Sequence, residues 1–408
     1  MIKMPERGLA CDTSTGNDQR GLHAAVDAMT SEGENQDLRQ RVREVCAAFA
    51  QAYFRDVDRH QGQPEEFAGA LREAGLANAL VPMGDGGMGL SLAQTCAIVE
   101  EIGVQGAPAA GLIQEICNHR LLVTYGCGEL VEWYAKQIID GELRAPAIAF
   151  QNRPVDAMAV TGCCPDGVTV NGRSARVSRA QNSDLLLLLV ETDFSSPVKE
   201  SETKYSLYLV DLRATVGRGL TIHPSRSLEN HDFSDIVVRN LLLPTAWRIG
   251  AEGEGARYIS ERCHVEMVLS AAAAIGDAIW FLRHAHDPAT GVTAMENIDW
   301  QCQKISSNLA KAAASIEVAR LMCARAAHRY DHGMACEAEA RMALAFALDA
   351  TGAAVECCLG MGRRSDPGSQ EDVDRKLRET RQHQVMPFLA QSVLSYIGEQ
   401  VLGLASPH

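Results

Sequence analysis

Residues 81–91 read VPMGDGGMGLS, and residues 99–103 read VEEIG. The first stretch predicts a glycine-rich loop, because glycine tolerates backbone conformations that side chains exclude. The second stretch lies in an apolar run long enough for a helix. Upstream, Leu38, Val42 and Val45 recur at spacings of four and three residues, which predicts an amphipathic helix. The region around the loop is therefore predicted to be helical.

Beyond residue 145 the sequence changes to short apolar runs separated by turn residues. Residues 185–190 read LLLLLV, and residues 207–212 read LYLVDL. Both runs have the length and composition of β-strands. The dipeptide Asn171-Gly172 lies between strand-like runs and predicts a β-hairpin. This part of the chain is predicted to form an antiparallel β-barrel.

From about Gly255 the sequence is helical again and rich in alanine. Four helices are predicted there, the last from about Pro387 to Leu402. The order predicts an α+β multi-domain protein, with an N-terminal α-helical domain, a middle antiparallel β-barrel domain and a C-terminal four-helix bundle. The expected units are a flexible leader at 1–36, the helical domain at 37–145, the β domain at 146–250 and the bundle at 251–408.

The composition excludes several classes of protein. Lys+Arg number 38 against 52 Asp+Glu, so the formal net charge is −14. An acidic surface repels nucleic acid and anionic lipid, and no apolar stretch is long enough to span a bilayer. No secretory signal is visible, and the 13 cysteines lack zinc-ligand spacing. We expect a cytoplasmic protein with reduced thiols, no metal, and neither nucleic acid nor membrane as a partner.

Several segments, taken in order, resemble the acyl-CoA dehydrogenase superfamily. Residues 81–91 resemble its P-E-x-x-G-G-x-G-L-S loop, and residues 99–103 resemble its EE-L/I-G helix. Residues 316–321, IEVARL, resemble a helix of its C-terminal bundle, and residues 378–381, RETR, resemble its R-D-A-K segment. The resemblance covers about residues 36–405.

The resemblance implies an activity and a cofactor. Typical members bind FAD between the β domain and the C-terminal bundle, and form dimers or tetramers. A Glu removes the α-proton of an acyl thioester, and the β-hydride passes to the flavin. The implied partner is an acyl thioester of CoA or of a carrier protein.

The position of the family's usual catalytic Glu is Pro387 in this sequence. Residues 378–386 read RETRQHQVM, where the family commonly has R-D-A-K-I-Y-Q-I-Y before the Glu. Proline cannot act as a base, and it lacks the backbone N–H that the family uses to bind the thioester carbonyl. One substitution therefore removes two groups of the usual mechanism.

Two segments that resemble flavin-contacting elements of the β domain have also changed. Residues 176–178, RVS, stand where the family has W-I-T, and only Ser178 keeps a hydroxyl. Residues 150–154, FQNRP, stand at the family's T-E-P-x-x-G-S-D loop and lack its small polar side chains. Both changes weaken the expected contacts with the isoalloxazine ring.

Two further flavin elements of the family acquire acidic residues here. Glu296 falls near the Arg that meets the FAD pyrophosphate in the family, and Glu356 replaces the Gln of Q-V-x-G-G-x-G. A carboxylate repels phosphate, whereas Gly360 and Gly362 keep the glycines of the motif. The sequence therefore does not predict a tightly bound cofactor. If FAD binds, the resemblance assigns it Ser178, Gly360 and Gly362.

One candidate base remains. Some family members carry the Glu on the first helix of the bundle, and the ungapped match over residues 255–276 places Glu266 there. Its neighbours along the chain are apolar, and an apolar environment disfavours a charged carboxylate, which suits acid/base work. An exposed helix glutamate is the alternative. His231, in residues 229–232, is a weaker candidate as a proton shuttle, since a solvated turn explains the same pattern.

The chain is predicted to be an enzyme, and three functions remain open. The sequence favours acid/base, non-redox chemistry on an acyl thioester or related small molecule, with weak or absent flavin. The second is an FAD-dependent acyl-CoA or acyl-carrier-protein dehydrogenase with Glu266 as base, or a flavin monooxygenase variant of it. The third is a non-catalytic subunit of a heteromer. A homodimer or homotetramer is expected in the first two cases.

Overall fold

The computed structural model describes most of the chain from residue 35 onward. The predicted leader lies almost wholly outside the described residues, and so do His231, Glu296, Gly362 and Pro387. The described residues are 35–126, 128–149, 158–192, 204–225, 233–285, 299–360, 367–385, 393 and 395–404.

The first part of the described chain is helical, as predicted. The glycine-rich loop ends at Ser91, whose hydroxyl accepts a hydrogen bond from the backbone N–H of Gln94, while the Gln94 side chain accepts one from the Ser91 N–H. This capping box begins the helix that carries VEEIG. The helices are α1 (Gln36–Ala47), α2 (Gln51–Arg59), α3 (Glu65–Glu73), α4 (Leu92–Val104), α5 (Ala110–Tyr125) and α6 (Glu129–Ile139).

The middle of the chain forms one mixed sheet. The elements are β1 (Ala147–Ala149), β2 (Ala159–Cys164), β3 (Gly167–Ser178), β4 (Leu185–Glu191), β5 (Tyr205–Asp211), the one-turn helix α7 (Leu212–Thr215), β6 (Leu220–Ser225), β7 (Phe233–Pro244) and β8 (Arg248–Ile249). The strand order is β6-β7-β3-β2-β4-β5-β8, with β1 beside β4. The predicted antiparallel pairing holds for most neighbours, but β4 pairs in parallel with β1 and with β2.

The hairpin predicted at Asn171-Gly172 is wrong. The dipeptide lies inside β3, at an irregularity in the pairing of β3 with β7. The Asn171 side chain donates to Thr161 Oγ1 at 2.6 Å and accepts from the backbone N–H of Asn240 at 2.8 Å. The asparagine therefore joins β2, β3 and β7 at a bulge, a role that turn statistics do not anticipate.

The leucine-rich strand β4 is buried on both faces. Leu186 and Leu188 pack inside the sheet's own apolar cluster, whereas Leu185 and Leu187 pack against helix residues that include Ile138. A strand covered on both sides needs apolar residues at every position. This explains why residues 185–190 show no alternation.

The last part of the described chain is helical. Of the helix predicted from about Pro387 to Leu402, residues 393 and 395–401 are helical, and 387–392 and 394 lie outside the described residues. The sequence prediction missed another helix, before Pro387, whose described buried side chains are mostly polar: Asp372, Val373, Arg375, Lys376 and Thr380. An apolar repeat therefore could not reveal it. The helices are α8 (Gly255–Ala285), α9 (Asp299–Asp331), α10 (Glu337–Gly360) and α11 (Pro367–Val385), followed by a π-helical turn (Ile397–Val401).

Helix α8 is the centre of the largest core, which the N-terminal helices and the bundle share. It contacts α4 through backbone, since a Cβ on Gly276 would lie 2.2 Å from the Glu100 carbonyl oxygen. The sequence predicted no stretch long enough to span a bilayer. By length and composition, however, α8 and α10 could each cross a membrane, since each contains an 18-residue window of mean hydropathy 1.6. The windows are 89% and 44% buried, and core helices pass the same test, so this is weak evidence.

The glutamates of VEEIG are buried and paired. Glu101 accepts from Arg43 Nε at 2.8 Å, and Glu100 accepts from Arg320 Nη2 of α9 at 2.6 Å. Arg39 of α1 lies within 3.4 Å of both carboxylates. Because buried carboxylates need such partners, these residues join α1, α4 and α9.

Candidate functional site

Glu266 lies on α8, where its side chain is hydrogen-bonded to an arginine and is also partly exposed to solvent. Its Oε2 accepts from Arg262 Nη1 at 2.5 Å, one helical turn earlier. The Glu266 side chain is 21% exposed, and the Arg262 side chain is 1% exposed. The Glu266 side chain is thus partly accessible to solvent, whereas the Arg262 side chain is fully buried.

Arg262 is fixed by a second layer of polar contacts. Its Nε donates to Asn118 Oδ1 of α5 at 2.6 Å, and the Asn118 amide donates to the Pro146 carbonyl oxygen at 2.7 Å. Burial opposes the charged form of Arg262, but the Glu266 carboxylate beside it holds the arginine's pKa above its ordinary value. This chain of contacts orients the Glu266 carboxylate.

The apolar environment predicted for Glu266 is wrong. Val265 and Met267 are buried as expected, but adjacent residues on a helix point in different directions. The spatial neighbour of the carboxylate is the Arg262 guanidinium, and the Cys263 thiol lies near both. Burial, with the Glu266 charge adding to it, raises the pKa of Cys263 to about 12, so this thiol stays protonated near neutral pH.

The face of α8 that carries Glu266 continues to a cavity. Ala273 and Asp277 follow Glu266 by two and three helical turns on the same face. Both line a cavity of about 130 Å³ between α2, α3, the start of α5, α8 and α11. One wall is apolar, with Phe54 and Phe67 among its residues. A candidate base and a cavity therefore share one helix face.

The opposite wall of this cavity is charged. Lys376 Nζ lies 2.7 Å from Asp277 Oδ1 and also donates to the Ala107 carbonyl oxygen at 3.1 Å. Burial opposes ionisation of Glu379, but Arg375 and Lys376 hold its pKa below the ordinary value. We call the following three ion pairs the charged wall: Asp277–Lys376 at 2.7 Å, Arg375–Glu379 at 2.5 Å and Arg378–Asp58 at 2.5 Å.

A fourth cation reaches the cavity from the sheet. Arg179 follows β3, and its guanidinium lies 3.4 Å from Glu115 and 4.0 Å from Glu65. It passes directly over Gly111 at the start of α5, where a Cβ would lie 2.5 Å from Arg179 Nη1. Glycine at this position leaves room for the guanidinium, which a Cβ would displace.

Ser178, just before Arg179, ends β3 with an unusual hydroxyl. The side chain is buried, and within the described part of the chain its Oγ has no hydrogen-bond partner. Buried hydroxyls are almost always hydrogen-bonded. A group that donates to or accepts from Oγ would satisfy it.

The two helical regions that enclose this site match known family models. Residues 32–142 match "Acyl-CoA dehydrogenase, N-terminal domain", and residues 253–384 match "Acyl-CoA dehydrogenase, C-terminal domain". Together they span more than half of the chain. This chain belongs to the acyl-CoA dehydrogenase superfamily. The order of helices, sheet and helical bundle is that of the superfamily, as the sequence predicted.

Individual superfamily members are only distantly similar to the chain. L-prolyl-[peptidyl-carrier protein] dehydrogenase of Serratia sp. is 25% identical over 278 residues, which are 66% of this chain and 70% of the relative. Butyryl-CoA dehydrogenase from Megasphaera elsdenii superimposes with a TM-score of 0.79 at 18% identity, over 90% of this chain and 98% of its own. A structure titled "PigA with FAD and proline" gives 0.71 at 19% identity, over 96% and 99%.

Of the other predicted site residues, Ser178 and Gly360 are described, whereas His231 and Gly362 lie outside the described residues. Gly360 ends α10 and is exposed, as is Glu356. The roles of Ser178 and Gly360 in cofactor binding stay predictions, as do those of Gly362 and His231. Across the described ranges, no group of three or more His, Cys, Asp or Glu side chains could hold a metal ion.

Sequence reasoning missed the polar partners of this candidate site. Arg262 could have been found, because Arg and Glu four residues apart on a helix face each other. Asp277 and Lys376 carry no such local signal, since they are distant in sequence and meet only when α11 packs on α8. Arg179 likewise depends on the approach of β3 to α5.

Proposed function

We propose that this chain is a flavin-dependent dehydrogenase that oxidises an acyl thioester between its α- and β-carbons, with Glu266 as the base. The observation that carries this proposal is the carboxylate of Glu266, which is oriented by Arg262 and faces the same side of α8 as the cavity. This is the second of the functions left open by the sequence. The superfamily and its FAD-containing relatives favour it over non-redox chemistry.

Glu266 takes up the proton when the α-carbon C–H bond of the thioester breaks. Its partial exposure leaves the carboxylate free to reach a substrate, and the Arg262 contact fixes its direction. Arg262 in turn stays in place through Asn118. The acyl group then extends along α8 toward the cavity at Ala273 and Asp277.

FAD would supply the hydride acceptor for the β-carbon. The residues that fit the group are Ser178, whose buried hydroxyl lacks a partner in the described structure, and by resemblance Gly360 and Gly362. A flavin heteroatom would satisfy the Ser178 hydroxyl. The relative solved as "PigA with FAD and proline" supports the same cofactor.

The handle of the substrate is CoA or a carrier protein. The Serratia relative is named for a peptidyl-carrier protein, whereas the Megasphaera structure is named for butyryl-CoA. Both handles present the acyl group on a pantetheine arm, so a pantetheine thioester is a suitable probe for either.

A second candidate, acid/base chemistry without redox, is favoured by one structural observation. Arg176, at the family's ring-packing aromatic position, is exposed, and its guanidinium lies 5.2 Å from the centroid of the Phe233 ring. It therefore presents no flat apolar surface for a flavin. Together with Pro387, this supports isomerisation, elimination or cyclisation of a thioester by Glu266.

The visible spectrum of the purified protein separates the two candidates. Flavin absorbance at one equivalent per chain, bleached on mixing with a substrate thioester, is expected for the dehydrogenase. A colourless protein that does not take up added FAD would contradict it and favour the non-redox enzyme. Co-purification with an intact homologue would point instead to a subunit of a heteromer.

We also infer a homodimer or homotetramer in the cytoplasm. Apolar side chains are exposed on the bundle, including Leu321 of α9 at 73% and Phe346 of α10 at 43%. Burial of exposed apolar side chains between copies is favourable. The free thiols of the described cysteines agree with a reducing compartment. Light scattering would give the oligomeric state, and a monomer would contradict the inference.

A further inference from the structure

Arg179 differs from the other cations that line the cavity. Each cation of the charged wall has a carboxylate within 2.5–2.7 Å. Among the described residues, the nearest carboxylates to Arg179 lie at 3.4 and 4.0 Å, longer than a normal hydrogen bond. A guanidinium has five N–H donors. Arg179 therefore keeps N–H groups that can donate to a ligand, whereas the cations of the charged wall already contact carboxylates closely.

The acidic neighbours of Arg179 do not consume this capacity. Glu115 is held by Arg72, whose Nε lies 3.1 Å from its Oε2. The Glu65 side chain is 43% exposed, so water screens its charge. The Arg179 side chain is only 17% exposed, so water screens its charge less.

The backbone beside Arg179 adds further donors. Residues 110–112 line the cavity and form the first turn of α5, where backbone N–H groups have no intrahelical acceptor. Ala109, the residue before this turn, offers no side-chain cap. The absence of a Cβ at Gly111 brings the guanidinium over the same turn. Arg179 and the start of α5 thus face the cavity with donors and positive charge.

We propose that Arg179 binds a carboxylate at the far end of the acyl group, so that the substrate is a short dicarboxylic acyl thioester. The proposal rests on the proposed function, since it places the acyl group in this cavity. The volume of about 130 Å³ is close to that of a protein cavity that holds benzene, so a long alkyl chain does not fit. An alkyl end would also leave Arg179 without a close acceptor, whereas a carboxylate gives it one.

Calorimetric titration of the full-length protein with glutaryl pantetheine and pentanoyl pantetheine tests this directly. The two thioesters have the same chain length and differ at the far end. We expect glutaryl pantetheine to bind at least about tenfold more tightly, as a hydrogen-bonded charge pair provides. Arg179→Met is expected to abolish the preference, and Arg179→Lys to keep part of it.

Arg173→Met is the matched control, because Arg173 lies on β3, the strand that Arg179 follows, is not among the residues that line the cavity, and pairs with Asp235. It is expected to keep the wild-type preference. Equal binding of the two thioesters, tighter binding of pentanoyl pantetheine, no binding of either, or a preference that survives Arg179→Met would each overturn the proposal. Circular dichroism confirms that each variant is folded. Binding requires no turnover, so this result is separate from the flavin test of the proposed function.

Discussion

Helix α8 contributes to two ion pairs on one face, and the two pairs differ in how far their side chains are exposed. In the Arg262–Glu266 pair the arginine is 1% exposed but the carboxylate is 21% exposed. In the Asp277–Lys376 pair both side chains are sealed, at 6% and 2%. The same chemistry therefore serves two purposes. The reachable acid is available to a substrate, while the sealed pair anchors α11 to α8.

The largest effect is expected from breaking the sealed pair. Lys376→Met leaves Asp277 buried without this cation and also removes one of the cations beside the partly exposed Glu379, which costs about 3–5 kcal/mol of unfolding free energy. Chemical denaturation measures it. Lys311→Met, at an exposed position of α9, is the control and should change stability by about 0.5 kcal/mol or less.

A double variant sharpens this prediction. Asp277→Leu combined with Lys376→Met replaces both charges with apolar groups, and we expect it to recover most of the loss. If Lys376→Met cost no more than the Lys311→Met control, the pair would not anchor α11.

The next effect tests the backbone contact beside the sealed pair. Gly276→Ala places a methyl group 2.2 Å from the Glu100 carbonyl oxygen, so α8 and α4 must separate, at a cost of about 1–3 kcal/mol. Gly352→Ala on α10 is the control, since nothing lies within 4 Å of its Cβ position. Thermal unfolding should show a lower Tm for Gly276→Ala only. An equal response would mean that α8 is not held by this contact.

Acid should destabilise the folded protein through Glu379, which pairs with Arg375 and Lys376 on α11. The pKa of Glu379 is lowered in the folded protein from an ordinary value of 4.5. Its contribution is therefore complete above about pH 4.5 and is lost as the pH falls through the folded pKa. The difference in unfolding free energy between wild type and Glu379→Gln should shrink on acidification below that value. A difference that stays constant with pH would contradict the assigned ion pairs.

The smallest effect on stability is expected at the reachable pair. Glu266→Gln keeps an oxygen that accepts from Arg262, and water can reach the site, so we expect a loss of about 1 kcal/mol or less. Asp277→Asn, the same chemical change at the sealed pair, should cost more. Denaturation of both variants under one condition gives the comparison. A larger loss for Glu266→Gln would assign Glu266 a structural role.

Much of the fold could be predicted from particular residues. The repeat of Leu38, Val42 and Val45 gave α1, and the apolar run at 185–190 gave β4, because burial imposes a local pattern on the sequence. The polar helix α11 could not be predicted in this way. Its described buried side chains are mostly polar, and the partners of Asp372 and Lys376 lie on the distant helices α2 and α8.

The candidate site was predictable only in part. Glu266 follows from its place in the ungapped match, but its environment depends on Arg262 and Asn118, which the chain brings together in three dimensions. Asn171 shows the same limit, because the bulge that it stabilises arises from pairing with both neighbouring strands. Local signals identify residue types, whereas long-range contacts decide what those residues do.

Proton exchange at the substrate tests the central claim most directly. Wild-type protein in D₂O should incorporate deuterium at the α-carbon of glutaryl or pentanoyl pantetheine, as followed by NMR. Both candidate functions require this step. Glu266→Gln is expected to slow the exchange by about 10²–10⁴-fold, with its fold intact and with Asp277→Asn as the comparison on the same helix. Exchange at the wild-type rate in Glu266→Gln would contradict the account.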